Sequence, residues 1–296
     1  MKSNPTLLFA LSCIILLSQI RCASHSTGGS ARPDSVVYKQ TPQGDLKLYF
    51  HYPEGWSASD KQALIVFFFG GGWVNGTTEQ FRYQAEYLAG RGMVTVRAEY
   101  RVKNRHGTGV DQCVEDGKSA VRWLRQNASG LGVDPEKIIA AGGSAGGHIA
   151  VCTQVVTGLE ADGEDLSVSS KPNLLVLFNP VMNTATERFV ERFGSEELAT
   201  TVSPNTHLDG EVPPAIMFFG SEDKLIEGAF ETLELASGKG FDIRLWVADG
   251  MAHGFFNHSP WRESTIFLTD RFLTEFGFLE GDPDIEMPEN GPMKMQ

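Results

Sequence analysis

Short apolar segments alternate with segments of helical periodicity along most of this chain, and this alternation limits its fold more than any other feature. The apolar segments that predict strands are ALIVFFF (63–69), MVTVRAEY (93–100), KIIAAGG (137–143), LLVLFNP (174–180), AIMFFG (215–220) and IRLWVA (243–248). Helices are predicted between and after them, at 79–89, 111–126, 145–156, 226–237 and 262–276. Strands that alternate with helices pair in parallel through βαβ crossovers. We therefore predict a doubly wound α/β fold with a mostly parallel sheet, and the segments around Gln43-Gly44-Asp45 add an antiparallel N-terminal hairpin at one edge.

The two ends of the chain differ in composition from its centre. Residues 1–24 are predicted to be a secretory signal peptide, because Lys2 precedes an apolar run at 7–17 and small residues follow it. That run is too short to cross a bilayer, which takes roughly 20 residues, so we expect no membrane span. We expect a secreted or periplasmic protein, with a lipoprotein anchored through Cys22 as the alternative. The remaining divisions are a flexible segment at 25–35, a folded domain at 36–278 and a disordered, acidic and proline-rich tail at 279–296.

Charge and cysteine content argue against several classes of function. The formal net charge is −12, with 37 acidic and 25 basic side chains, whereas nucleic acids are bound by basic patches. We therefore expect no nucleic-acid partner. The sequence contains no Cys-x-x-Cys or His-Glu-x-x-His pattern, so we expect neither a metal site nor a cofactor. Cys113 and Cys152 follow the signal segment, and the sequence leaves open whether they are buried thiols or a disulfide.

The stretch GGSAGGH carries the strongest sign of chemistry. Gly142 to Gly146 fit the pattern Gly-x-Ser-x-Gly, and the pattern lies where a predicted strand meets a predicted helix. Small residues on both sides allow a sharp turn that raises Ser144 above the sheet at a helix N-terminus. This context predicts that Ser144 is a nucleophile; the alternative is a glycine-rich turn that merely contains a serine.

A serine nucleophile needs a base, and the base needs an acid that orients it. Asp223 follows the strand at 215–220, and His253 follows the strand at 243–248. The carboxyl ends of parallel strands meet at one edge of a sheet, so Ser144, Asp223 and His253 are predicted to converge there as a catalytic triad.

Neighbouring side chains compete for these roles. Glu222 is the alternative acid, whereas Asp249 lies too close to His253 within one loop to be favoured. His148 lies one helical turn beyond Ser144 and is expected to pack beneath the turn rather than to act as the base.

The strand at 63–69 ends in three consecutive glycines and a tryptophan. Glycine permits positive φ and lets a ligand approach bare backbone N–H groups. Acyl transfer creates an oxyanion that such groups stabilise, with one donor directly after the nucleophile and another on a loop that follows an earlier strand. Gly70, Gly71 and Gly72 are predicted to form that loop, and Ala145 is predicted to supply the donor next to the nucleophile.

Five motifs in this order resemble the α/β-hydrolase esterases of the hormone-sensitive-lipase and acetyl-esterase group, which includes secreted carbohydrate-type acetyl esterases. The motifs are FFFGGGW (67–73), AEYR (98–101), GGSAGGH (142–148), GSEDKL (220–225) and AHGFF (252–256), and the resemblance covers about residues 36–278. It implies an α/β-hydrolase fold and oxyanion donors at Gly71, Gly72 and Ala145. The sequence departs from the group at Phe69, where the group carries a histidine that helps to hold the loop.

The resemblance leads to a prediction of function. We expect a secreted serine carboxylic-ester hydrolase whose partner is a small-molecule ester with a short acyl group, with acetylated carbohydrates as a candidate class. A small cover at 183–210 should leave the acyl site fairly open, and Trp73 and Phe255 are expected to contact substrate. Arg101 is expected to form an ion pair that fixes its loop. The alternatives are a serine peptidase of the prolyl-oligopeptidase type and a non-catalytic binding protein on a hydrolase scaffold.

Overall fold

The chain forms a nine-stranded mixed sheet in the computed structural model, which describes Met1 and residues 32–296. The strands are β1 (Ser35–Thr41), β2 (Gly44–His51), β3 (Gln62–Phe68), β4 (Val94–Ala98), β5 (Val133–Gly143), β6 (Leu174–Phe178), β7 (Ala215–Gly220), β8 (Ile243–Ala248) and β9 (Met293–Met295). Their order across the sheet is β1-β2-β4-β3-β5-β6-β7-β8-β9. Neighbours from β4 to β8 in this order are parallel, whereas β1, β2 and β9 pair antiparallel at the two edges. The mostly parallel sheet with an antiparallel N-terminal hairpin is therefore confirmed.

Helices connect the strands and cover both faces of the sheet. They are α1 (Arg82–Gly90), α2 (Lys103–His106), α3 (Val110–Gln126), α4 (Ala145–Val155), α5 (Glu187–Phe193), α6 (Glu196–Thr201), α7 (Ile226–Ser237) and α8 (Trp261–Glu275). Along β3, Leu64 and Val66 join the apolar cluster of α3 and α4, whereas Ile65 and Phe67 join the cluster of α1 and α8. Successive residues of a strand face opposite sides, so a sheet covered on both sides requires the continuous apolar runs that the sequence shows.

The tail predicted at 279–296 is ordered, and this part of the prediction is wrong. Leu279 and Met293 are buried in the apolar cluster to which α8 contributes, and Ser264 Oγ donates to the Gly291 carbonyl oxygen at 2.7 Å. β9 then pairs antiparallel with β8. Without β9 the backbone of β8 would be an unpaired sheet edge, and covering that edge outweighs the acidic, proline-rich composition of the segment.

The N-terminal predictions fall largely beyond what the structure describes. The signal segment at 2–24, including Cys22, lies outside the described residues, as do residues 25–31. The last residue of the segment predicted to be flexible, Ser35, is already the first residue of β1. Within residues 32–296, no helix is both long enough and apolar enough to cross a membrane.

Cys113 and Cys152 are both free and buried. They lie on α3 and α4, which pack on the same face of the sheet. The Cys113 thiol donates to the Arg101 carbonyl oxygen at 3.1 Å. Burial raises the pKa of both thiols, which keeps them protonated. Of the two alternatives that the sequence left open, the structure therefore has the unbridged one.

Candidate active site

Ser144 lies in a tight turn between β5 and α4. Its backbone has φ 52° and ψ −118°, a strained conformation for a residue with a side chain. The turn packs closely, since a Cβ atom on Gly146 would lie 2.0 Å from the Phe68 carbonyl oxygen. The Ser144 N–H donates to the Phe178 carbonyl oxygen at 2.9 Å and ties the turn to β6. The serine thus lies in the strand–turn–helix context that the sequence predicts.

Side chains from three different loops form one hydrogen-bonded chain. His253 Nε2 lies 2.8 Å from Ser144 Oγ, and His253 Nδ1 lies 2.7 Å from Asp223 Oδ2. An ionised carboxylate only accepts hydrogen bonds, so Nδ1 carries the imidazole proton and Nε2 is free to accept one from the serine hydroxyl. The other Asp223 oxygen accepts the Leu225 N–H at 2.9 Å. The Asp223 side chain is 1 % exposed and that of His253 is 40 % exposed, so a buried, fixed carboxylate can orient an accessible base.

The competing side chains lie elsewhere. Glu222 and Asp249 are exposed, and neither hydrogen-bonds to His253 within residues 32–296. His148 is fully buried beneath the turn, where its Nε2 donates to the Val202 carbonyl oxygen at 2.7 Å. Burial lowers the pKa of His148 to about 4, so it remains neutral at physiological pH. Among the described residues, no group of three or more His, Cys, Asp and Glu side chains could hold a metal ion.

The glycine loop (residues 70–76) lies directly beside the serine. A Cβ atom on its first glycine would lie 3.4 Å from Ser144 Cβ. Gly71 and Gly72 have φ angles of 123° and 63°, in the region that favours glycine. Neither of their N–H groups donates to an acceptor within residues 32–296. The N–H of Ala145 is free as well, because it belongs to the first residue of α4. The three predicted donors therefore lie on the loop and the turn that meet at Ser144.

The glycine loop is held without the histidine that Phe69 replaces. The Phe69 ring stacks on Tyr100 with centroids 4.1 Å apart. The buried Tyr100 hydroxyl donates to the Phe69 carbonyl oxygen at 2.6 Å. Further along the loop, Arg192 Nη2 donates to the Gly72 carbonyl oxygen at 2.7 Å. Aromatic stacking and these two hydrogen bonds fix the loop at two points.

A further set of hydrogen bonds joins the glycine loop to the loop of His253. The Gly70 N–H donates to Gln80 Oε1 at 2.6 Å, and Gln80 Nε2 donates to Asn257 Oδ1 at 3.1 Å. Asn257 Nδ2 in turn donates to the Gly254 carbonyl oxygen at 2.9 Å. A backbone donor at one end and a backbone acceptor at the other fix the orientation of both side-chain amides. We call Gln80 and Asn257 the amide relay; sequence reasoning missed it, because its members belong to no local motif.

Asn179 is another residue that the sequence analysis did not single out. It follows β6 directly, has a φ of 38° and is fully buried. Its Oδ1 accepts the Gly254 N–H at 2.9 Å, which anchors the residue next to His253. A polar residue immediately after an apolar strand, at the sheet edge where sites form, is the signal that could have identified it.

A cavity of about 340 Å³ opens above Ser144. α5 forms part of its wall and lies within the cover predicted at 183–210. Trp73 and Phe189 line the cavity, and their rings contact each other edge-on with centroids 5.9 Å apart. Trp73 is thus a cavity-lining residue, although it is only 4 % exposed.

Phe255 was expected to contact substrate, but it does not line this cavity. Its side chain packs in the core instead. Its ring is 3 % exposed and meets Phe256 and Trp261 edge-on. The short 3₁₀ turn that follows His253 directs these aromatic rings into the core. An aromatic residue two positions from the histidine is thus near the site in sequence and apart from it in space.

Arg101 forms the ion pair that its motif predicts. Its Nε and Nη2 atoms each lie 2.8 Å from an oxygen of Asp116, and Nη2 lies 2.7 Å from Glu115 Oε1. Asp116 is fully buried on α3, so this bidentate pair fixes the segment after β4 against that helix.

Comparisons with known proteins identify the family. A family model described as BD-FAE matches residues 50–185. Carboxylesterase NlhH of Mycobacterium tuberculosis is 28 % identical over 236 residues, which cover 72 % of either protein. The probable isoprenylcysteine alpha-carbonyl methylesterase ICMEL1 of Arabidopsis thaliana is 27 % identical over 212 residues. That match covers 64 % of this chain and 43 % of the plant protein, so the chain spans less than half of its length.

A solved esterase matches over more of the chain. The apo form of Thermogutta terrifontis esterase 2 superposes with a TM-score of 0.81 at 45 % identity, covering 85 % of this chain and 97 % of that one. Its propionate-bound form superposes with a TM-score of 0.80 at 45 % identity over the same shares of both chains. With the sheet and site described above, these matches show that the chain belongs to the α/β-hydrolase esterases of the hormone-sensitive-lipase group and is a serine carboxylesterase.

Proposed function

We propose that this carboxylesterase hydrolyses short-acyl esters through an acyl-enzyme on Ser144, with His253 as general base and Asp223 as the acid that orients it. The observation that carries the proposal is the unbroken chain of hydrogen bonds, 2.8 Å from Ser144 Oγ to His253 Nε2 and 2.7 Å from Nδ1 to Asp223. A serine hydroxyl alone is a weak nucleophile, and this arrangement is the one that activates it.

The reaction follows from these positions. Ser144 Oγ attacks the acyl carbon as its proton moves to His253 Nε2, and the carbonyl oxygen becomes an oxyanion. The free N–H groups of Gly71, Gly72 and Ala145 are the proposed donors to that oxyanion. Collapse of the tetrahedral intermediate expels the alcohol, which takes the proton from His253. In the second half of the reaction, His253 takes a proton from water as the water attacks the acyl carbon. His253 then returns the proton to Ser144 Oγ, which leaves as the carboxylic acid is released.

The proposed preference for short acyl groups rests on the size of the site. The cavity directly above Ser144 has a volume of about 340 Å³ and is walled by α5, a size suited to a short acyl group together with its alcohol. The similar Thermogutta terrifontis esterase 2 was solved with propionate bound, which is a short carboxylate. Acetylated carbohydrates are also proposed as substrates, because the polar and charged side chains that line the cavity can form hydrogen bonds with the hydroxyl groups of a sugar.

Export is proposed from residues 1–24 alone. The expected mature protein is secreted or periplasmic, and a lipoprotein joined through Cys22 is the alternative. The fraction in which the protein is recovered (medium, periplasm or membrane) and its molecular mass decide between the two alternatives: a lipoprotein would be recovered with the membrane and carry the mass of its lipid. A chain that keeps its first 24 residues in the cytoplasm would contradict export.

A substrate panel tests the catalytic proposal. The enzyme and its Ser144→Ala variant are assayed with p-nitrophenyl acetate, butyrate and dodecanoate and with aminoacyl anilides. We expect kcat/KM to be highest for the short esters and to fall on the order of 10⁴-fold or more in the variant. Ser59→Ala, in the exposed segment between β2 and β3, is the control and should keep its activity. Faster turnover of dodecanoate would contradict a short acyl site, and faster turnover of anilides would favour a peptidase. An active, folded Ser144→Ala variant would remove the serine mechanism.

A further inference from the structure

Two arginines on one face of α5 line the cavity above Ser144. Arg188 and Arg192 are four residues apart, which places them one helical turn from each other. Arg192 is already ordered, because its Nη2 donates to the Gly72 carbonyl oxygen at 2.7 Å and its guanidinium lies 5.3 Å from the centre of the Trp73 ring. The wall of the cavity therefore presents one exposed cation held by a hydrogen bond and a second exposed cation beside it.

In the described part of the chain, neither arginine is ion-paired with an acidic neighbour, and Glu187 and Glu191 of the same helix do not line the cavity. Arg188, Arg192 and Lys224 all line the cavity, and none of them has an ion-pair partner within residues 32–296. Of the two carboxylates that line it, Asp223 is bonded to His253, and Glu222 is exposed. Partial burial lowers the pKa of Arg192, and the like charge of Arg188 lowers it further. The charge of this wall is opposite to that of the whole chain, whose formal net charge is −12.

The same arginine borders a second space. A neighbouring cavity of about 600 Å³ shares Gly72, Trp73 and Arg192 with the catalytic cavity and adds Lys103. A substrate group that leaves the catalytic cavity past Trp73 would still meet a cation. Guanidinium groups bind carboxylates through charge-assisted, bidentate hydrogen bonds, and an ordered guanidinium loses less entropy on binding.

We propose that Arg188 and Arg192 form an anion subsite, and that the preferred substrates are short esters carrying a carboxylate close to the scissile carbonyl. This inference rests on the proposed esterase function and adds to it a class of substrate. The carboxylate can belong to the acyl part or to the alcohol part, and both positions place the anion beside α5.

Matched pairs of esters test the subsite. One pair is para-acetoxybenzoate and its methyl ester, which differ in the charge of the alcohol part. The other is p-nitrophenyl hydrogen glutarate and its methyl ester, which differ in the charge of the acyl part. The quantity measured is the ratio of kcat/KM for the anionic ester to kcat/KM for the neutral one, after subtraction of uncatalysed hydrolysis, at low ionic strength.

Removal of one cation should lower this ratio. We expect Arg188→Gln to reduce it about 3- to 10-fold for at least one pair, and the pair that responds identifies the part that carries the carboxylate. Arg188→Lys should retain most of the ratio, and added salt should lower it in the native enzyme, since the site is open to solvent. Arg271→Gln, which removes an exposed arginine from α8, is the control for net charge and should leave both ratios unchanged.

The outcomes separate this inference from the function on which it rests. Equal ratios in the native enzyme and in Arg188→Gln, with neutral esters still hydrolysed, would overturn the subsite and leave the esterase proposal intact. The same fall in ratio in Arg271→Gln would assign the preference to net charge and overturn the subsite as well. Failure of the native enzyme to hydrolyse any of the four esters would count against the proposed function itself.

Discussion

Burial distinguishes two adjacent carboxylates on the loop after β7. Asp223 is buried, and its two oxygens are taken by His253 Nδ1 and by the Leu225 N–H. Glu222 is exposed, and its carboxylate has no hydrogen-bond partner within residues 32–296. A carboxylate that is fixed and poorly hydrated stabilises an imidazolium far better than one that water screens. Adjacent in the chain, the two acids are therefore not interchangeable.

Asparagine at position 223 should nearly abolish activity. Asp223→Asn leaves the shape intact but presents an amide that cannot hold the required imidazole tautomer, so kcat/KM should fall roughly 10³- to 10⁴-fold. Glu222→Gln is the matched control and should cost less than about tenfold. The measurement is initial rate on p-nitrophenyl acetate. If Glu222→Gln proved the more damaging change, the acid would be assigned one residue away.

His148 should make the stability of the protein depend on pH. Burial lowers its pKa to about 4, whereas an unfolded histidine titrates near ~6.5. The unfolded chain therefore takes up the proton first as the pH falls. Between about pH 6.5 and about pH 4, this side chain should lower the free energy of unfolding by roughly 2–3 kcal/mol.

The matched variant is His148→Gln, whose amide can still donate to the Val202 carbonyl oxygen. Urea titrations of both proteins at pH 7.5 and 4.5 measure the effect. The native protein should lose more stability between these values than the variant does. Equal losses would show that His148 takes up its proton at the same pH in the folded and unfolded chains.

At the scale of loops and helices, the site depends on contacts between segments that are distant in sequence. The amide relay connects the glycine loop to the loop of His253, although Gln80 and Asn257 are 177 residues apart. α5 reaches the same glycine loop through Arg192 and Gly72, which are 120 residues apart. The amide relay therefore fixes the glycine loop relative to the loop of His253 through side chains that neither line the catalytic cavity nor belong to the triad.

Disrupting the amide relay should slow the chemical step without weakening substrate binding. In Gln80→Leu both hydrogen bonds of the side chain are lost, and we expect kcat to fall roughly tenfold with KM nearly unchanged. Gln126→Leu, at the exposed end of α3, is the control.

A double-mutant cycle separates this positioning role from a general loss of packing. Because Gln80 and Asn257 belong to one continuous chain of hydrogen bonds that either change breaks, combining Gln80→Leu with Asn257→Ala should cost little more than either change alone. Additive losses in kcat, or a rise in KM alone, would contradict the relay.

The same contrast explains how much the sequence could predict. Ser144, Asp223 and His253 were predictable, because each follows an apolar strand and the geometry of parallel sheets brings strand ends together. Gln80 and Asn257 were not, since they owe their pairing to the folded arrangement of two loops. The expected substrate contact of Phe255 failed for a related reason: nearness to His253 in sequence does not fix the direction in which a side chain points.

At the scale of the whole molecule, both edges of the sheet are closed by antiparallel strands. The N-terminal edge was predictable, because β1 and β2 form a local hairpin with a short glycine-containing turn. The other edge was not, since β9 returns to β8 from the far end of the chain after an irregular acidic segment. Composition indicated disorder there, and a few buried contacts decided otherwise.

Met293 should therefore contribute to stability although only three residues of this sequence follow it. Its side chain is 8 % exposed within the apolar cluster of α8, and Met293→Ala should lower the free energy of unfolding by roughly 2 kcal/mol. Lys294→Ala, at the next and exposed position, should change it by less than about 0.5 kcal/mol. Urea denaturation measures both. Identical midpoints for the native protein and Met293→Ala would instead support the prediction that the tail is disordered.

The two unbridged thiols have a practical consequence for this fold. Because Cys113 and Cys152 are buried in the core as protonated thiols, the fold of residues 32–296 forms without a disulfide bond. An alkylating reagent can react with these two thiols only when local or global opening moves α3 and α4 away from the sheet. In protein produced without the predicted signal peptide 1–24, which contains Cys13 and Cys22, the rate of labelling at Cys113 and Cys152 measures how often the native enzyme opens.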